Sequence, residues 1–143
     1  MTEAAIAKQM HQLSNAEIED AVRVIVAESL GKKLDDVQID SVLMDELGAE
    51  SLDFLDIVFR LERDFSIEIT RGEMERASRG DMSPEEFAPS GVISEAGLAR
   101  LRELMPEAAE RIKPGLRPST ILTLFSVRTF ANMVIGKRDG RTV

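Results

Sequence analysis

At 143 residues with 43% hydrophobic side chains, the chain has enough apolar matter for one compact core and too little length for a second full domain. It contains no Cys, which excludes disulfides, thiolate metal sites and a side-chain thiol nucleophile, so any thiol it uses is an added group. Its net charge of −8 is uneven: residues 35–75 carry 13 acidic side chains against Arg60, Arg63 and Arg71, whereas residues 76–143 carry 11 basic against 8 acidic, a balance that disfavours nucleic acid in the middle of the chain and favours a basic protein partner.

The first twelve residues lack both an apolar core and a small-residue cleavage pattern, and no later stretch reaches the ~18 apolar residues of a membrane span, so the expected location is cytoplasmic. Ser14-Asn15-Ala16-Glu17 is a capping-box pattern. After it Ile18, Ala21, Val22, Ile25 and Val26 recur at helical spacing up to Gly31, which predicts a helix over about 15–30. Residues 31–50 have no sustained period, yet Leu34, Val37, Ile39, Val42, Leu43 and Leu47 are spread through them; such a loop is expected to lie across a core.

A second helix is expected over Leu52 to Phe65, with Asp53 complementing the positive end of its dipole. It has two apolar stripes. Phe54, Ile57, Val58, Leu61 and Phe65 make an ordinary core face, while Leu52, Leu55 and Phe59 recur on another side, fringed by Asp53, Asp56 and Glu62. Ser51 stands at the head of that second stripe. A helix start favours an anion, so a phosphodiester on the Ser51 oxygen suits the position; equally, Ser is a common N-cap and spacing alone leaves both readings open.

Thr70-Arg71-Gly72-Glu73 is another capping-box pattern and predicts a short helix carrying Met74 inward. From about Ser78 the chain is punctuated by Gly80, Pro84, Pro89, Gly91, Pro106, Pro114, Gly115 and Pro118, so only short elements fit. Ser83-Pro84-Glu85-Glu86 and Ser94 are helix starts, the latter for a helix using Leu98, Leu101, Leu104 and Met105. A last helix is expected from Ser126 to about Ile135, with Val127, Phe130, Ala131 and Val134 as its apolar stripe, followed by a flexible basic tail over 136–143.

Gly48-Ala49-Glu50-Ser51-Leu52, the helix pattern through Phe65 and the following Ile67-Glu68-Ile69 resemble the acyl carrier protein family. In that family a Gly-x-Asp-Ser-Leu motif opens the second helix and its serine is pantetheinylated. The resemblance covers residues 14–77 and 121–135. It implies an all-α, acyl-carrier-like four-helix bundle of three longer helices and a short one, forming a single carrier domain with further short helices in an insertion over 78–120. It also implies 4′-phosphopantetheine attached covalently to Ser51, with Glu50 and Leu52 flanking it.

By the same resemblance Asp53, Leu55, Asp56, Phe59 and Glu62, together with Leu52, meet basic surfaces of partner enzymes, and Phe54, Ile57, Val58, Leu61 and Phe65 bound the interior where the family shelters an acyl chain. The implied partners are a phosphopantetheinyl transferase and acyl-loading, synthase or acyltransferase enzymes of fatty acid, lipid or polyketide-type biosynthesis. A monomer is expected, without nucleic acid and without catalytic residues of its own. Two departures stand out. Glu50 replaces the family's Asp, keeping the charge but adding a methylene, and some forty residues stand where the family has a short turn; their apolar helix near Leu98 to Met105 is a candidate cover for the cargo cavity or a selector of partners.

Three other readings compete. An aminoacyl or peptidyl carrier shares this motif, and an unmodified helical adaptor would use only the acidic face. A hydrolase built on Ser51 lacks a Gly-x-Ser-x-Gly elbow, and the sole His is His11 near the N-terminus. Asp35, Asp36, Asp40 and Asp45 do not follow the spacing of a calcium loop.

Overall fold

Local capping chemistry sets where the helices begin. The computed structural model describes residues 12–140, apart from the side chains of Arg71, Met74, Glu75 and Ala77; His11 and the inward placement expected for Met74 lie outside the described residues. Helix α1 (Asn15–Leu30) starts in a reciprocal box: Glu17 N donates to Ser14 Oγ and Ser14 N to Glu17 Oε1. It ends at Gly31, whose φ of 65° is the left-handed conformation that favours glycine. Helix α2 (Ser51–Phe65) and the short α3 (Arg71–Arg79) follow. Thr70 caps α3 by accepting from Glu73 N, but the Glu73 carboxylate does not complete a box there; it pairs with Lys137 at 2.6 Å.

The connection from 31 to 50 is held along its length. Arg23 of α1 donates to the carbonyls of Val37 (2.8 Å) and Leu34 (3.2 Å). Farther along, the first amides of the last helix α6 (Val127–Arg138) find acceptors in the same loop: Val127 N donates to Ser41 O and Arg128 N to Ile39 O. These are amides a helix cannot satisfy internally. An isolated antiparallel bridge joins Val42 to Ser126. Val37, Leu43 and Leu47 are buried as expected, whereas the Leu34 side chain is exposed and only its carbonyl is held, by Arg23. Arg128 closes the arrangement by donating to Asp40 (2.6 Å) and Glu19 (3.3 Å); the hydrogen bond to Asp40 raises its pKa above the ordinary arginine value.

α1 packs against α6 and α2, and the faces that meet are the apolar stripes read from the sequence. Ile18, Val22, Ile25 and Val26 come from α1, Phe54, Ile57, Leu61 and Phe65 from α2, and Val127, Phe130, Ala131 and Val134 from α6. Full burial of the Val, Ile, Leu and Phe side chains among these contributes about 1.5–3 kcal/mol each. The architecture is all-α, as the resemblance implies, with no strand among the described residues.

Between α3 and α6 the chain forms a four-residue helix α4 (Pro84–Phe87), helix α5 (Glu95–Leu104) and 3₁₀ turns over Pro89–Gly91, Pro106–Arg111 and Pro118–Leu124. Ser83 and Ser94 cap α4 and α5 as their sequence positions imply. α5 packs on α3. Gly97 allows this local structure: a Cβ there would meet Ile93 Cγ2 at 2.7 Å and the Phe87 carbonyl at 3.0 Å. Phe87, Ile93, Leu98, Leu101, Met105, Ala108 and Ile112 belong to one continuous core with the helices on either side. Polar ties reinforce it, with Glu107 accepting from Ser126 Oγ and Thr129 Oγ1, and Arg111 donating to the carbonyls of Thr123 and Leu124.

One expectation fails at the C-terminal end. Of the tail expected to be flexible over 136–143, residues 136–138 continue the last helix and Gly136 is buried, while residues 141–143 lie outside the described residues. The last turn is anchored by the Lys137–Glu73 ion pair and by Arg138 Nη1 donating to Leu13 O at 2.7 Å, long-range contacts that outweigh the low helix propensity of glycine.

Candidate functional site

The turn that leads into α2 is fixed before the helix begins. Leu47 and Ala49 are buried, Ala49 N donates to Leu43 O at 2.9 Å, and Leu43 N donates to Phe125 O at 3.0 Å. Gly48 between them adopts a φ of 70°, so any side-chain-bearing residue there would be strained. Glu50 then takes the N-cap position with extended backbone, its N–H donating to Asp53 Oδ2 at 2.7 Å.

Ser51 is therefore the first helical residue and not the cap, and the capping reading of this serine falls away. Its side chain is exposed, and its hydroxyl makes no hydrogen bond with any described residue. The amides of the first turn have no carbonyl inside the helix to serve, and the dipole end is positive, so a phosphodiester on this oxygen meets a favourable field. An exposed, unengaged hydroxyl with room for a bulky ester fits such a group.

Beside Ser51 the helix presents hydrocarbon to solvent: Leu52 is 75% exposed, Leu55 67% and Phe59 61%. Glu50 is exposed next to it. The three carboxylates expected on this face each already hold an internal partner. Asp53 Oδ2 is the helix-start acceptor just described. Asp56 Oδ2 accepts from Ser29 Oγ of α1 at 2.5 Å and from Arg60 Nε at 2.8 Å, and Arg60 also lies 3.9 Å from Glu28. The Ser29 hydroxyl first, then Arg60, hold the Asp56 carboxyl below the usual carboxylate range. Glu62 Oε2 accepts from Ile69 N at 2.9 Å and so fixes the segment between α2 and α3.

On the inner side of α2, Phe54, Ile57, Leu61 and Phe65 are buried, and Val58 is half-buried at the edge of the core rather than within it. The Phe54 ring lies 6.0 Å from both Phe125 and Phe130, which are 5.6 Å from each other, so three aromatic rings fill the space between α2 and the start of α6. The helix Glu95–Leu104, a candidate cover for that interior, lies on α3.

Sequence reasoning missed Ser29 as a partner of Asp56 and the tie from Glu62 to Ile69. Neither has a sequence signal: Ser29 is an ordinary polar residue near a helix end, and its partner is 27 positions away. Residues 20–80 match the model of a family described as phosphopantetheine attachment site, and Ser51 falls inside the matched segment. No solved structure matches the chain.

Proposed function

We propose that Ser51 bears a covalently attached 4′-phosphopantetheine arm and that the chain carries an acyl-type cargo as a thioester, a reading supported by the match of residues 20–80 to the phosphopantetheine-attachment-site family. The observation that carries this reading is the state of the serines in the matched segment. There are five: Ser29, Ser41, Ser51, Ser66 and Ser78. Ser29 donates to Asp56, Ser41 is buried and accepts from Gln38 N, and Ser78 has a partner of its own. Ser66 is exposed but sits at the C-terminal end of α2, where the helix dipole opposes a phosphate. Ser51 alone among them combines exposure, an unengaged hydroxyl and a helix N-terminus.

When bound, the arm supplies a terminal thiol, which the sequence itself lacks, and its tether raises the concentration of cargo at each partner's site. The protein's own part is presentation. Leu52, Leu55 and Phe59, bordered by Asp53, Asp56 and Glu62, form the surface that a phosphopantetheinyl transferase and later acyl-loading, synthase or acyltransferase enzymes cover while working at Ser51. Phe54, Ile57, Val58, Leu61 and Phe65 are the apolar groups beneath Ser51 that a folded-back acyl chain would meet, after parting the Phe54–Phe125–Phe130 contact. The reading is of a cytoplasmic monomer in fatty acid, lipid or polyketide-type biosynthesis, with bond making left to its partners.

Incubation of the purified chain with coenzyme A and a phosphopantetheinyl transferase tests it by intact mass. One added phosphopantetheine on the natural sequence and none on Ser51→Ala is the expected pair of results; equal modification of both proteins would move the site elsewhere.

A further inference from the structure

We infer that the enzyme loading Ser51 holds this protein mainly through the hydrocarbon of Leu52, Leu55 and Phe59, and that Asp53, Asp56 and Glu62 serve the fold first. The inference rests on attachment at Ser51 and says which groups on that face recruit the partner.

Geometry requires coverage of the stripe. At 100° and 1.5 Å per residue, Leu55 and Phe59 follow Ser51 at about one and two turns on nearly the same side, with Leu52 beside them. A transferase that brings coenzyme A to the Ser51 oxygen lies over these side chains, which are the three most exposed large hydrophobics among the described residues.

Charge points the same way. Asp53, Asp56 and Glu62 all accept hydrogen bonds from their own chain, and Asp56 is further balanced by Arg60. Arg63, which by helical spacing falls between Phe59 and Asp56, adds a cation bonded to Asp64 at 2.9 Å. A partner placing a basic group here meets carboxylates that are already hydrogen-bonded within the chain and half in water, where a new ion pair adds little. An apolar pocket instead meets side chains with nothing to lose but water, and well-packed anchors of this kind dominate interface energetics. A second copy of the chain is a poor occupant, since three side chains fall far short of the roughly 800 Å² per partner that stable dimers bury.

The test is steady-state loading of the full chain by a phosphopantetheinyl transferase, with thermal unfolding measured on the same samples. Leu55→Ala and Phe59→Ala are each expected to raise KM about tenfold with kcat and Tm retained, as truncation of an interface anchor does. Asp56→Asn and Glu62→Gln are expected to lower Tm while raising KM by at least about threefold less than Phe59→Ala. Carboxylate variants that raise KM as much as Phe59→Ala, or a neutral Phe59→Ala, would overturn the inference. Should a carboxylate variant not fold, salt decides: a rise in KM below about threefold between about 0.1 and 0.5 M supports it, and a rise of about tenfold overturns it. No loading of the natural sequence at all would instead overturn attachment at Ser51.

Discussion

A single hydroxyl is distinguished here by what surrounding residues do for it. Glu50 and Asp53 exchange the helix-start hydrogen bonds, which leaves the Ser51 oxygen uncommitted. Asp56 shows the opposite fate. Its oxygen joins α1 to α2 through Ser29, and its carboxyl is held below the ordinary value of about 3.9, so this tie stabilises the fold above the unfolded pKa and is lost as pH falls through the lower folded one. Asp56→Asn is therefore expected to cost about 1 kcal/mol or less above pH ~5, discounted because the group is half exposed, and nothing at pH values below the folded pKa. Urea denaturation across that range would show the two proteins converging in acid; a constant difference at every pH would contradict the role given to the ionised form.

Helices in this chain begin where short-range chemistry says they should and end where it says less. Ser14, Thr70, Ser83, Ser94 and Ser126 all cap, because a cap needs only a residue and its neighbour three positions on. The two stripes of α2 were legible for the same reason, being a matter of period. Its C-terminal end was not marked by a glycine: Ser66 adopts the left-handed conformation with a φ of 53°, a cost of roughly 1 kcal/mol that glycine would avoid. Ser66→Gly is thus expected to raise stability by about 0.5–1 kcal/mol in denaturant titration, and a loss would show that the Ser66 side chain contributes more than its strain. The overrun of α6 to Arg138 was illegible because Glu73 and Leu13, which hold its last turn, are 64 and 125 positions from their partners Lys137 and Arg138.

For the molecule as a whole, the stretch between α3 and α6 is the part that sequence patterning described least. Its punctuation by Pro and Gly gave the short elements, but where they settle depends on Glu107 reaching Ser126 and Thr129, on Arg111 reaching the carbonyls before α6, and on α5 lying against α3. Each is a pairing of distant residues with no local signature. Because these contacts merge the stretch into the common core, Leu98→Ala, at a buried site, is expected to cost about 2–5 kcal/mol of global stability in one cooperative transition. Far-UV circular dichroism in urea, with amide exchange on α1 and α6, measures this; an early partial transition that spares those helices would show the stretch to be an independent attachment. The apolar face around Ser51 lies outside that core, and its exposure is the feature that makes a visiting enzyme necessary to the account.

The most direct measurement is peptide mapping of the loaded protein. Trypsin is expected to release residues 34–60, a peptide that contains both Ser41 and Ser51, so fragmentation within it separates the two. Phosphopantetheine on Ser51, with Ser41 and every other serine unmodified, is the result this account predicts; its appearance on Ser41, or on a peptide outside 34–60, would contradict it.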